Sequence, residues 1–310
     1  MSSQARRTGD RTAYLALVAA GCLWGTGFYF GKIDLVEMSV GHMLLYRFLF
    51  ACVGLIPIML MQRTTPRLHD LPVFLVTAAL YVPVQSIVQF EGLARTTVSH
   101  ASLMVGTVPL LLALGAVLFT KERLDGRGWL LLTVSTIGAA LIVFQAHSNT
   151  AASGGPSLLG DVLVLVSMFT SIAWVLVTQC MEHFGSGYSA ATMSAYIIAF
   201  GTAMLAAWVL TTEGLPPVAG ISMSAWVALA AQGLLATTLP TLLWNWALMR
   251  VTAARAGIFV NVEPIVGTAL GVVLLRESLG LAAMLGGVLI IGAAVAFTYR
   301  VPATTDTIVQ

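Results

Sequence analysis

An all-α integral membrane protein of ten transmembrane helices, arranged as two inverted five-helix repeats, is the fold this sequence predicts. Three observations carry the prediction. The 310 residues are 58% apolar and only 9% charged, with a mean hydropathy of +0.92, whereas a soluble domain carries about 25% charged residues. The chain divides into ten apolar stretches of bilayer-spanning length. Finally, residues 92–124 overlay residues 247–279 without a gap, five spans apart.

Runs of roughly 17–25 apolar residues place spans 1 to 5 at Ala13–Phe30, Val40–Met61, Leu71–Phe90, Thr97–Thr120 and Gly128–Phe144. Spans 6 to 10 follow at Val162–Met181, Ser189–Leu210, Ser222–Trp246, Thr252–Leu275 and Leu279–Tyr299. Helices are the natural assignment, because open strands in lipid leave backbone groups without partners. Arg6, Arg7 and Arg11 ahead of span 1 imitate a signal peptide. That run is too long for a typical signal core, and no small-x-small cleavage site ends it. The connectors are short except HSNTAASGGPS, His147 to Ser157, which is rich in Ser and Gly and holds no acidic residue, Lys or Arg. It reads as a linker between a first repeat, 1–146, and a second, 158–310.

Lys and Arg counts orient the bundle. With the N-terminus cytoplasmic, the inside set is Arg6, Arg7, Arg11, Arg63, Arg67, Lys121, Arg123, Arg127, Arg250, Arg255 and Arg300. Only Lys32, Arg95 and Arg276 fall outside, while Arg47 lies within span 2. Both termini are therefore expected in the cytoplasm.

The internal overlay matches nine of 33 positions, among them Arg95/Arg250, Thr97/Thr252, Pro109/Pro264 and Glu122/Glu277, and Lys121/Arg276 keeps its charge. Pro83 and Pro240 fall one span earlier in each half. Chance similarity between two Leu-, Val- and Ala-rich segments would match a few positions. It would not readily match a proline pair, an arginine pair and a shared basic-Glu-x-Leu ending together. An odd number of spans separates equivalent helices, so the second half is inverted. Inverted repeats suit carriers, since two similar halves can exchange roles across the membrane.

Several classes find no support. There is no basic block for nucleic acid. Cys22, Cys52 and Cys180 are scattered in apolar runs, which is neither a disulfide framework nor a metal site. The P-loop, H-E-x-x-H and G-x-S-x-G patterns are absent, so neither direct ATP use nor an intramembrane hydrolase is indicated. No cofactor and no metal are expected.

The early Trp24-Gly25, the "YRF" around Arg47, the "P…KERL" ending of span 4 and the "EP…RESL" of span 9 resemble the drug/metabolite transporter superfamily, EamA type. The resemblance covers nearly the whole chain. It implies a secondary transporter with a central cavity lined by spans 1, 3, 4, 6, 8 and 9, and with spans 5 and 10 peripheral. Members of that family mostly export small metabolites, and amino-acid exporters are its best-known bacterial branch.

Helical periodicity selects the candidate faces, because positions four apart share one face. Span 3 carries Tyr81, Gln85 and Gln89, beside Pro83. Such polar tips either line a cavity or tie helices together. Span 8 carries Thr237, Thr241 and Asn245 beside Pro240, Trp244 and Trp246; span 6 carries Ser167, Ser171, Trp174 and Thr178; span 1 offers Trp24 and Phe28. Trp129, Trp226 and Tyr299 suit an interfacial belt. Trp24, Tyr81 and Trp174 lie deeper. The candidate substrate-binding set is Trp24, Tyr81, Gln85, Trp174, Thr241 and Asn245, with aromatic walls for the apolar part of an amphipathic solute and amides or hydroxyls for its polar end.

Glu263-Pro264 stands inside an apolar run, ~12 Å from Arg255 and ~20 Å from Arg276 by helical rise. Pro264, like Pro109, removes a backbone donor and loosens its helix. Glu263 shares its face with Ala256, Gly267 and Gly271, small residues that permit close helix approach, so it is expected to face protein. Two roles are open: a protonated hydrogen-bond donor, or a proton-coupling acid. Arg47 is expected to pair locally with Asp34, Glu37 or Glu91, a substrate carboxylate being the sharper reading. Asp161 is expected to cap span 6, and His100 to be an incidental histidine near the interface. G-x-x-x-G spacings at Gly21/Gly25, Gly27/Gly31 and Gly267/Gly271 are expected to serve internal contacts. The sum is an exporter of small metabolites, neutral or aromatic amino acids foremost, with multidrug or cationic-compound efflux as the alternative. It is expected to be multi-pass in a bacterial-type plasma (inner) membrane, its partners the solute and the lipid, a monomer or weak homodimer.

Overall fold

The computed structural model describes residues 3–62, 65–119, 125–148, 156–183, 187–248, 250 and 259–298. Every regular element among them is helical. Six helical stretches are long and apolar enough to cross a bilayer: Arg11–Asp34, Val40–Met61, Leu71–Arg95, Gly126–Val143, Ala190–Thr212 and Met223–Ala247. Four shorter apolar ones, Val98–Leu111, Leu158–Trp174, Val262–Leu274 and Leu281–Ala296, complete the ten spans. Residues 149–155 of the expected linker, the Lys121-Glu122 ending of span 4, Arg255 and Tyr299 lie outside the described residues.

Local chemistry starts these helices. Oγ of Thr97, Ser189 and Ser222 accept the N–H of His100, Thr192 and Ala225, each satisfying a donor that a helix start leaves open. Asp125 Oδ1 does the same for Gly128 at 2.8 Å. Span 6 corrects an expectation. Ser157 Oγ caps it, accepting Gly160 N–H at 3.0 Å, and Asp161 lies a turn further in, fully buried.

Four of the prolines act in two ways, whereas Pro57 lies inside the unbroken helix Val40–Gln62. In spans 3 and 8 the helix widens into a π-turn, Leu80–Gln85 around Pro83 and Leu234–Thr238 just before Pro240. A widened turn loosens carbonyls, and hydroxyls five residues on re-bond them: Ser86 Oγ donates to Tyr81 O at 3.2 Å, and Thr237 Oγ1 to Gln232 O at 2.9 Å. In spans 4 and 9 the helix breaks rather than bends. Span 4 divides into Val98–Val105 and Val108–Phe119, so the expected continuous helix is two, with Pro109 in the first turn of the second, where a missing N–H costs nothing. Span 9 turns at Asn261 and resumes at Val262–Leu274, with Pro264 in its first turn. The overlay pairs Gly106 with Asn261, so both repeats break at the same place. Span 1 breaks similarly at Thr26, between Ser3–Gly25 and Gly27–Asp34.

Small residues set the packing, as expected where lipid removes the hydrophobic drive between helices. A Cβ on Gly21 would stand 2.8 Å from Phe259 O, and one on Gly25 2.8 Å from Glu263 O. Spans 1 and 9 therefore meet backbone to backbone. Gly267 and Gly271 face Ser102 and Ser99 of span 4, and Gly31 faces Phe90 and Gln232. These G-x-x-x-G glycines thus serve contacts within the bundle. Spans 5 and 10 meet at Gly138 and Gly286, while Leu130, Ile137, Leu285 and Val288 on their other faces are exposed. That apolar exterior suits lipid.

Candidate functional site

The breaks and π-turns bring polar side chains together in the middle of the bundle. In span 3, Tyr81 and Gln85 bracket the π-turn and both meet Trp174 of span 6. The Tyr81 and Trp174 rings lie 4.7 Å apart, and Trp174 Nε1 donates to Gln85 Oε1 at 2.5 Å. Phe48 of span 2 packs edge-on against Tyr81 at 6.2 Å.

Arg47 enters this cluster from span 2. Its Nε donates to Thr237 Oγ1 at 3.1 Å, and its guanidinium lies 5.2 Å from the Phe48 ring centroid and 5.0 Å from that of Phe90. The expected local ion pair is corrected. Among the described residues no carboxylate comes within 4.0 Å of Arg47. Glu91 pairs instead with Arg95, and Glu37 accepts from Ser222 N–H and Oγ at 2.8 and 2.5 Å. Asp34, Tyr81 and Glu263 lie near enough to Arg47 to act through space.

Glu263 sits in the first turn of the half-helix Val262–Leu274. A position that looked mid-span in the sequence is a helix start, where the positive end of the helix dipole favours a carboxylate. Its carboxyl makes no hydrogen bond among the described residues, so the expected bond to a freed carbonyl is not made. Arg47, Tyr81 and Glu263 are all deeply enclosed by protein, yet each keeps accessible surface. Polar atoms that are both buried and without partners include the two carboxyl oxygens of Asp34, but none of Arg47, Tyr81, Gln85 or Glu263. The Nη groups of Arg47 and the carboxyl of Glu263, which make no hydrogen bond among the described residues, therefore keep accessible surface.

The other candidates stand apart from this cluster. Trp24 packs on Trp244, ring centroids 5.4 Å apart. Thr241 Oγ1 donates to Thr237 O of its own helix at 2.7 Å, and Asn245 Nδ2 reaches Ser194 Oγ of span 7 at 3.3 Å. Ser167 and Ser171 bond back to Val164 O and Met168 O, as buried helical serines do. Trp226 packs against Tyr46 at 4.9 Å and Phe50 at 6.5 Å rather than serving only as a belt residue. Sequence reading left Thr237, Phe48 and Phe90 without the part they take around Arg47. The available signal was a permanent cation inside an apolar run.

A second polar assembly ties the bundle end that carries Lys32 and Arg276. Lys32 Nζ donates to Leu93 O at 2.9 Å and Thr96 O at 2.6 Å. Thr96 Oγ1 donates to Asp161 Oδ1, and His100 Nδ1 lies 3.0 Å from Asp161 Oδ2. His100 and Asp161 are 1% and 0% exposed, so this histidine is a buried partner and not an incidental surface residue. Glu277 accepts from Val98 N–H, Ser99 N–H and Ser99 Oγ at 2.7, 2.8 and 2.6 Å. Arg276, at φ 54°, makes the left-handed turn that aims Glu277 back at span 4. Spans 1, 3, 4, 6 and 9 thus converge on residues 93–100.

Known proteins agree with this architecture. The chain is 27% identical over 286 residues to the uncharacterized transporter YdfC of Bacillus subtilis (strain 168), covering 89% of this chain and 87% of YdfC. It is 24% identical over 289 residues to the uncharacterized transporter YetK of the same organism, covering 90% and 86%. An uncharacterized transporter of Archaeoglobus fulgidus is 25% identical over 280 residues, 90% of this chain and 94% of the relative. A solved crystal structure superposes with a TM-score of 0.62 at 19% identity, over 93% of this chain and 97% of its own; at that identity the match bears on the fold. The sequence profile of the EamA-like transporter family matches residues 11–144 and again 158–299. With ten helical spans in two five-helix repeats and both halves matched, this multi-pass membrane protein belongs to the EamA-like transporter family.

Proposed function

We propose that this protein exports small metabolites, neutral or aromatic amino acids foremost, by alternating access through a cavity between its two repeats. The observation that carries this reading is the central cluster: Tyr81 packed on Trp174, the amide of Gln85, and the unbonded Nη groups of Arg47 and carboxyl of Glu263 within electrostatic reach of one another. Aromatic faces suit an apolar side chain, and the charged and amide groups suit a polar backbone end. Trp24, Thr241 and Asn245 belong to the same pathway, on the span 1 and span 8 side. Repeats 1–146 and 158–310, joined by 147–157, exchange roles as the cavity opens to either side, with Pro83, Pro109, Pro240 and Pro264 supplying the helix irregularities about which they move. The Lys and Arg distribution supports cytoplasmic termini in a bacterial-type plasma membrane. The chemistry is carriage and not catalysis.

Flux measurement tests this. Purified protein in liposomes is expected to exchange labelled neutral or aromatic amino acids well above protein-free leak. Leak-level exchange across a broad panel, together with uptake of cationic dyes, would establish the efflux reading instead. That second reading has one observation in its favour, the carboxyl of Glu263, enclosed by protein yet without a hydrogen bond among the described residues.

A further inference from the structure

The guanidinium of Arg47 is held by one edge only. Nε is bound to Thr237 Oγ1 at 3.1 Å, and the Phe48 and Phe90 rings lie 5.2 and 5.0 Å from the guanidinium carbon. An arginine keeps its charge in any protein environment, and an unpaired one inside a membrane is costly. Yet its Nη groups have no acceptor among the described residues, and neither of them is sealed from access. The Nη edge is a planar pair of donors, pre-set by Thr237 and without an acceptor among the described residues. Such an edge matches the two oxygens of a carboxylate.

We propose that Arg47 is the anchor for the carboxylate of the transported solute, with Glu263 facing the solute's ammonium group. This deepens the amino-acid reading and rests on it. Geometry favours a ligand over an internal partner. Asp34 and Glu263 act on Arg47 only through space, with no ion pair to either within 4.0 Å, and the two Asp34 oxygens are sealed. Arg47 and Glu263 act on each other through space yet make no ion pair, so a small molecule with opposite charges at its two ends can engage both. Tyr81, within electrostatic reach of both and stacked on Trp174, provides an aromatic wall for its side chain. A zwitterion bridging the two would neutralise both poles at once, whereas a cation would leave Arg47 unpaired.

Counterflow of labelled L-phenylalanine in liposomes, with unlabelled competitors, tests the anchor in the wild-type protein. L-phenylalanine and 3-phenylpropionate, which keeps the carboxylate and lacks the amine, are expected to compete. L-phenylalaninamide, which lacks the carboxylate, is expected to be weaker than L-phenylalanine by about tenfold or more. In Arg47→Gln that preference collapses, while Arg47→Lys, which keeps the charge without the fork, retains part of it. Equal competition by the amide in the wild type, or an unchanged preference in Arg47→Gln, would overturn the anchor while leaving amino-acid transport intact. No exchange of phenylalanine or any other zwitterionic amino acid would instead overturn the parent reading, and the anchor with it.

Discussion

Removing the Glu277 carboxylate should unfasten the start of span 4, and the structure allows the cost to be worked out. The first N–H groups of a helix have no intrahelical acceptor. At Val98–Val105, Thr97 Oγ1 serves His100, and Glu277 serves Val98 and Ser99 at 2.7 and 2.8 Å. Val98 and Ser99 are both 0% exposed, so water cannot take over. Each orphaned buried donor costs about 1–3 kcal/mol, which puts Glu277→Ala at roughly 3 kcal/mol. Glu277→Gln keeps one acceptor oxygen but loses the charge and turns an amide N–H toward another donor, so about 1–2 kcal/mol is expected. Ser99→Ala removes the 2.6 Å hydroxyl leg alone, for about 1 kcal/mol. Unfolding in dodecyl maltoside, driven by added SDS and followed by far-ultraviolet circular dichroism, would rank the three variants. A Glu277→Ala midpoint within about 0.5 kcal/mol of wild type would refute the capping argument. So would a Ser99→Ala variant less stable than Glu277→Ala.

Four other expectations follow from the same coordinates. Arg276 holds φ 54°, a left-handed conformation that glycine adopts without penalty, so Arg276→Gly should gain up to ~1 kcal/mol in the same assay; a clear loss would show that the side chain contributes more than the strain costs. Gly25→Ala would set a methyl 2.8 Å from Glu263 O and 2.8 Å from Val266 Cβ, so ~1–3 kcal/mol of overpacking is expected, with reduced amino-acid flux because the first turn carrying Glu263 must shift. Trp174→Phe keeps the ring against Tyr81 but removes the donor to Gln85, and should raise the half-saturation for an aromatic amino acid several-fold with expression unchanged; identical kinetics would return Trp174 to packing alone. Glu37 lies in the loop after span 1, where its bonds from the Ser222 hydroxyl and N–H hold its carboxyl below the ordinary 4.5. A lowered carboxylate pKa stabilises the folded state above the ordinary value and stops doing so as pH falls through the lowered one, so hydrogen-exchange protection near Ser222, taken relative to the intrinsic exchange rate at each pH, should fall at acid pH in wild type and show no such step in Glu37→Gln.

Much of the architecture was legible because bilayer physics is blunt. A chain that must satisfy its backbone within lipid announces its spans by length and composition, and Pro83, Pro109, Pro240 and Pro264 mark helix irregularities, although Pro57 sits inside an unbroken helix. What proline alone does not specify is the mode of failure. Pro83 sits in a π-turn and Pro109 follows a break, and the difference lies in what surrounds them. Gly106-Thr107 precedes Pro109, and Thr107 Oγ1 folds back on Met104 O at 2.8 Å, whereas Ser86 re-bonds the carbonyl loosened ahead of it and lets span 3 continue. Periodicity found Tyr81 and Gln85 but could not say that they meet Trp174 across the bundle. It also suggested a span 6 stripe, yet two of its serines serve their own helix. Asp161 and His100 were misjudged for a related reason. Each looks like a helix-end residue when read alone, and only the approach of span 6 to the end of span 3, through Gly160 and Gly92, sets Asp161 beside His100 at the start of span 4.

The two halves share a backbone plan but not a chemistry, and the difference bears on mechanism. Both carry a π-turn in their third span and a break in their fourth, at Gly106 and Asn261. The charges do not repeat. Glu263 overlays Val108, and span 7, the counterpart of span 2, holds no lysine or arginine to match Arg47. Under the proposed alternating access, matched irregularities would let either end of the cavity open at similar cost, which is what exchange of roles between repeats requires. An asymmetric pair of opposite charges, one from each repeat, would on the proposed reading give the cavity a polarity that the backbone lacks. Under the proposed reading a zwitterion would bind in one orientation, joined to both repeats at once. Its binding energy would then act across the interface that must move, and a solute with only one of the two charges would engage only one half.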